Sequence, residues 1–128
     1  MSNAETSVMR AILCELSQLP GSLWWRQQSG VFRSLSGRET VRVGIPGMAD
    51  IGGMINGRAV QVEVKTPTGK LSKEQVRWQR AVERAGGIFI CARSPTGVLA
   101  SLTAHTDAQS CEPSSHNHPA GVKPAGAE

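Results

Sequence analysis

No apolar run in the chain approaches the ~18 residues that a bilayer crossing requires, which argues against a membrane-spanning helix. The N-terminal segment lacks the basic stretch, apolar stretch and small-residue cleavage site of a secretory leader, so the cytoplasm is the expected location. Cysteine is scarce. Cys14, Cys91 and Cys111 are odd in number and have no C-x-x-C spacing, so neither a disulfide framework nor a zinc knuckle is indicated. Aromatic residues make up only 4% of the chain, and Trp24, Trp25 and Trp78 are read as core or interface residues rather than as base-stacking ones. The T-P-T-G-K stretch at 66–70 has too few glycines and the wrong spacing for a phosphate-cradling loop; it reads as a connector whose Lys70 can contact a phosphate.

A length of 128 residues suits one core, and composition divides the chain into a domain over 1–103 and a tail over 104–128. The tail is poor in apolar residues and rich in Pro, Ser, Ala and Gly, which predicts disorder. Cys111, His116 and His118 are metal-ligating types within it, but no neighbouring order would organise them. Residues 1–102 hold 13 of the 14 Lys and Arg and 7 of the 10 Asp and Glu, a net of +6 against −2 for the remainder. A basic body attracts polyanions through its field and through counterion release, although such charges also keep many proteins soluble.

Val8, Ile12, Leu16 and Leu19 recur at helical spacing before Pro20-Gly21, which predicts an amphipathic helix over 5–19. The segments LWWRQQSGVFRSL and ETVRVG predict short edge strands. In GMADIGGMINGRAVQVEVKT two strand-like runs flank Asn56-Gly57, the favoured pair for a two-residue type I′ hairpin turn. Ser72 and Gln75 form an S-x-x-Q capping box, Leu71 and Val76 can staple it, and Gly86-Gly87 stops the helix expected near 73–85. The apolar run at 88–92, IFICA, predicts a buried strand. Together these elements imply an α/β fold with a mixed sheet flanked by helices in a single domain.

With Asn56 and Gly57 at the centre of the turn, antiparallel partners have numbers that sum to 113, which sets Asp50 opposite Glu63. Like charges on direct cross-strand neighbours are destabilising. Alternation also puts Gln61, Glu63 and Lys65 on one face and Val60, Val62 and Val64 on the other. A divalent cation between Asp50 and Glu63 would remove the repulsion, and hard oxygen ligands suit Mg²⁺ or Mn²⁺. Lys65 would then stand beside an attacking water. The alternative is a solvated charged face in which Lys65 merely neutralises Glu63.

The wider string contains G-M-A-D-I, V-E-V-K, G-K-L-S-x-x-Q and A-G-G between Gly47 and about Ser94. It resembles the VRR-NUC family, of stand-alone phage or bacterial type, within the PD-(D/E)XK nuclease superfamily. The likeness extends upstream to Glu5 and to Trp25-Arg26, covering most of residues 5–100, and departs at Ala49, where the superfamily name implies a proline. It implies a restriction-endonuclease-like fold and a Mg²⁺- or Mn²⁺-dependent endonuclease that hydrolyses DNA phosphodiester bonds. The substrate implied is branched or structured DNA, as for a Holliday-junction resolvase in DNA repair, and the enzyme a homodimer in a bacterial or phage-infected cell. In this reading Asp50 and Glu63 bind the metal, the Val64 main-chain carbonyl completes the protein ligands, and Lys65 orients the attacking water. The competing reading is a catalytically silent nuclease-fold module that binds nucleic acid or a protein partner; the intact Asp50, Glu63 and Lys65 favour catalysis.

The same resemblance gives Gln75 a place at the site and Glu5 an approach to the metal. Each also has a local explanation, Gln75 as half of the capping box and Glu5 as a carboxylate in a first helical turn. Lys73, Arg77, Arg80 and Arg84 fall along one stripe of the second helix, either as phosphate contacts or as an ordinary solvated face, with Glu83 close enough to pair with Arg80.

Overall fold

Helical spacing of apolar residues near the N-terminus produces the first element. In the computed structural model, which describes residues 3–110, α1 (Asn3–Ser17) buries Met9, Ile12 and Leu16 and packs Val8 and Leu13 beside them. The helix stops two residues short of the expected limit, and Leu19 reaches the core from the following turn.

The strands come next. β1 (Ser22–Arg26), β4 (Ile51–Ile55), β5 (Arg58–Val64) and β6 (Ile88–Ala92) form one sheet in the order β1-β4-β5-β6, while β2 (Gly30–Arg33) and β3 (Thr40–Val43) pair as a separate ribbon. The first three neighbours are antiparallel, and β5 and β6 are parallel, joined across α2 (Lys73–Arg84). Asn56 and Gly57 both adopt left-handed backbone, φ 49° and 80°, as the type I′ turn requires. The resulting register pairs Ile55 with Arg58, Gly53 with Val60 and Ile51 with Val62.

The sheet has one apolar face and one polar face. Ile51, Ile55, Val60, Val62, Ile88, Ile90 and Ala92 are buried in a single core with α1 residues and with Val98 and Leu102 of α3 (Pro95–Ser110). Trp24 lies over Gly53 on this face. The opposite face carries Gln61 and Glu63, and α2 reaches it through Trp78 and Gln75. The architecture is thus α/β, a mixed sheet flanked by helices.

α3 corrects the expected domain boundary. Residues 104–110, assigned to a disordered tail, continue the helix, and residues 111–128, with Cys111, His116 and His118, lie outside the described residues. The signal that identifies α3 is Ser94-Pro95. The Ser94 hydroxyl accepts from Gly97 N–H at 3.1 Å, its carbonyl accepts from Val98 N–H at 3.2 Å, and proline is favoured at the first helical position. No helix among the described residues is long and apolar enough to cross a membrane.

A Cβ on Gly53 would run into the six-membered ring of Trp24. Gly53→Ala should therefore push the indole off the core and cost about 1–3 kcal/mol, read as a lower urea midpoint; an unchanged midpoint would mean that Trp24 has no packing role.

Candidate active site

The site begins where the β4–β5 ladder ends. Ile55–Arg58, Gly53–Val60 and Ile51–Val62 alternate with Met54–Ala59 and Gly52–Gln61, and continuation of that register would set Ala49 against Val64 and Asp50 against Glu63. The ladder bond at Val64 is replaced: its N–H donates to Asp50 Oδ2 at 2.9 Å. A strand residue sends its N–H and C=O toward the same edge, so the Val64 carbonyl points to the side occupied by Asp50. Lys65 N–H turns the other way, to the Ala92 carbonyl at 2.9 Å.

Glu63 is the one buried acidic residue among the described residues, at 4% exposure. Its Oε1 accepts from Gln75 Nε2 at 2.9 Å and lies 3.8 Å from Lys65 Nζ. Its Oε2 is buried without a hydrogen-bond partner. Burial, followed by the charge of the adjacent Asp50, pushes the Glu63 carboxyl up to about 8, while Lys65 pulls it down. A proton or a cation at Oε2 would relieve this arrangement. Two carboxylates with an unpartnered buried oxygen fit a hard divalent cation such as Mg²⁺ or Mn²⁺. Among the described residues no three His, Cys, Asp or Glu side chains gather into one metal-holding group.

Gln75 closes the capping box and also reaches Glu63. Its Oε1 accepts from Ser72 N–H at 2.8 Å, closing the capping box, which turns Nε2 toward Glu63. Since Ser72 N–H can only donate, the amide orientation is fixed. The cap of α2 thereby anchors the buried carboxylate.

Gln27, a residue without a signal in the sequence, holds the other acid. Its backbone N–H donates to the Asp50 carbonyl at 2.7 Å, and its side-chain amide donates to the Ala49 carbonyl at 3.1 Å and to Gln61 Oε1 at 2.8 Å. Trp25 Nε1 donates to Gln27 Oε1 at 3.2 Å and Trp78 Nε1 to Gln61 Oε1 at 3.1 Å, so an indole donor sets the orientation of each amide. Gly52 leaves the space that Gln27 and Trp25 occupy. Gly47, at φ 82°, lets its loop rest against the backbone at the start of α2; a side chain there would collide with Glu74.

A cleft of about 510 Å³ opens over Asp50 and Glu63, lined also by Arg26, Gln27, Phe32 and Gln75. Lys65 borders a second crevice of about 160 Å³, and Glu5 lies there with Val8, Thr66, Pro67 and Arg93 rather than in the cleft of the acidic pair. Arg93 donates to the Thr66 carbonyl and ties the 66–70 loop down, leaving Lys70 exposed. Lys73, Arg77, Arg80 and Arg84 are exposed as one stripe. At 3.6 residues per turn this stripe is about half a turn from Gln75 and Trp78, so it faces away from the cleft. No family model matches the chain, and no protein of curated function matches it.

An acid whose pKa is raised on folding binds its proton more tightly when folded. That stabilisation is complete below the ordinary glutamate range, ~4.3, and is lost as pH rises through about 8. In EDTA the melting temperature should fall over this window, Glu63→Gln should flatten that part of the profile, and Mg²⁺ should restore stability at the alkaline end. A profile shared by wild type and Glu63→Gln would remove Glu63 as its source.

Proposed function

We propose that this chain is a metal-dependent nuclease that hydrolyses DNA phosphodiester bonds. The observation that carries the reading is Glu63 Oε2, a buried carboxylate oxygen without a partner, beside a second carboxylate and a lysine. Among the described residues no donor reaches that oxygen, and a cation there would also offset the repulsion between Glu63 and Asp50. The sequence resemblance over residues 47–94 assigns the same three side chains and supports the same chemistry. A homodimer and a branched DNA substrate follow from the resemblance alone.

Asp50, Glu63 and the Val64 carbonyl would hold Mg²⁺ or Mn²⁺, whose contribution when bound is to polarise the phosphate and acidify water. Gln75 fixes the Glu63 carboxylate, and Gln27 fixes the peptide on either side of Asp50. Lys65, 3.8 Å from Glu63 Oε1, would orient the attacking water and balance charge that grows on the phosphate oxygens. The net +6 of residues 1–102 draws the polyanion toward this acidic pair.

Incubation with labelled linear, flap and four-way-junction DNA in Mg²⁺, Mn²⁺ or EDTA tests the reading; cleavage should require the metal. Lys65→Ala should lower turnover by about 10²–10³ while DNA and metal affinity stay near wild type, because its interaction strengthens only as charge develops. Asp50→Asn should instead weaken metal binding, with partial recovery in Mn²⁺. Cleavage by Lys65→Ala at the wild-type rate would reduce the lysine to a charge partner of Glu63, and cleavage that survives EDTA would overturn the metal.

A further inference from the structure

The β2–β3 ribbon has two faces of different chemistry. Its register pairs Phe32 with Val41 and Gly30 with Val43, so Phe32, Val41 and Val43 share one face; Val31 pairs with Arg42 and Arg33 with Thr40 on the other. The apolar side chains stand in solvent, Phe32 at 45% exposure and Val41 at 54%, and Leu35 in the connecting turn is fully exposed. A run of exposed apolar residues on a two-stranded ribbon marks a contact surface.

Position and charge decide the occupant. Phe32 lines the same cleft as Asp50 and Glu63, together with Arg26. Between Arg26 and Ala49 the chain carries four arginines, Arg26, Arg33, Arg38 and Arg42, against the single acid Glu39. An aromatic platform in an arginine-rich field is complementary to a polyanion with flat apolar rings. In a duplex those rings are stacked on one another, so only an unpaired base can offer a free face.

We infer that the apolar face of the ribbon seats unpaired nucleobases of the substrate strand, with Phe32 as the stacking platform, Arg26 of the same cleft holding the flanking backbone, and Arg33 and Arg42 on the opposite face adding to the attractive field. The inference rests on the nuclease reading for its substrate and extends the site to residues that the E-V-K string does not include.

Fluorescence anisotropy in EDTA, with labelled oligothymidylate and a labelled duplex of equal length, separates this seat from the chemistry. Phe32→Ala should weaken oligothymidylate binding roughly tenfold, the scale of one lost base stack, and leave duplex binding near wild type. Phe32→Trp should retain the affinity. Phe32→Leu, which keeps apolar bulk without the ring, should behave as Phe32→Ala and decides the matter if that variant fails to fold. Arg33→Ala combined with Arg42→Ala should weaken both ligands and flatten their salt dependence. Unchanged oligothymidylate binding in a folded Phe32→Ala overturns the seat, as does an equal loss on both ligands. Conversion of a dimer to a monomer at constant DNA affinity also overturns it and makes the ribbon a contact between copies. If the Phe32 effect appears but metal-dependent cleavage does not, the nuclease reading fails and the seat stands; cleavage with no Phe32 effect fails the seat alone.

Discussion

The two-residue turn at Asn56-Gly57 fixes the parity of β4 and β5, and the site inherits its composition from that constraint. Side chains alternate between faces with a period of two, so a slip of one residue would send Glu63 and Gln61 beneath α1 and α3 and bring Val60 and Val62 to the surface under α2. Burial of Val60 and Val62 against Ile51, Ile88 and Ile90 makes that slip costly, because every core residue of the strand would be lost at once. The polar face is therefore set by the apolar one. The hairpin places Asp50 and Glu63 together whether or not their own interaction is favourable.

Their interaction is unfavourable by itself, and the surrounding contacts show how the fold tolerates it. Asp50 takes the Val64 N–H that the ladder leaves open, while Glu63 takes the Gln75 amide and the Lys65 ammonium. None of these satisfies Glu63 Oε2. The helix that covers this side, α2, contributes no fully buried residue, and the side chains that bind it to the strand are Gln75 and Trp78 through hydrogen bonds. Polar contacts are worth far less per residue than the apolar burial on the α1–α3 side. The molecule thus has a robust face and a strained one, and the strain is concentrated at the two carboxylates.

Local rules carried far into this structure and stopped where distant segments meet. The turn, the β5 alternation and the capping box depend on residues adjacent in sequence, so the hairpin, the acidic pair, Lys65 and α2 were all legible there. Gln75 was legible as a cap, while its reach to Glu63 through the other end of the same amide shows only in the folded chain. Gln27 left no trace because its partners, Ala49, Asp50 and Gln61, lie more than twenty residues away. The α2 stripe was visible as a stripe, but its direction depends on which face packs on the sheet. α3 escaped because Gly97 and the scattered Thr96, Thr103 and Thr106 obscure the apolar spacing of Val98 and Leu102; Ser94-Pro95 was the cue.

Under the proposed function, the distribution of charge follows from what each group would meet. Two carboxylates repel a phosphodiester at short range, so residues that attract the backbone must act from elsewhere until the acids are neutralised. The sequence groups many of its cations outside the pair, on the ribbon, on the outer side of α2 and in the 65–70 segment. Arg26 of β1 lines the cleft, and Lys65 lies 3.8 Å from Glu63. Attraction at a distance needs only net positive charge on the body, which falls off with salt over the Debye length of ~8–10 Å. Charge balance at the phosphate itself needs a cation within contact, where screening is weak and position is fixed by packing. Lys65 would meet the second requirement because it directly follows β5, two residues from Glu63, and the exposed arginines would meet the first because attraction at a distance does not depend on where each one points.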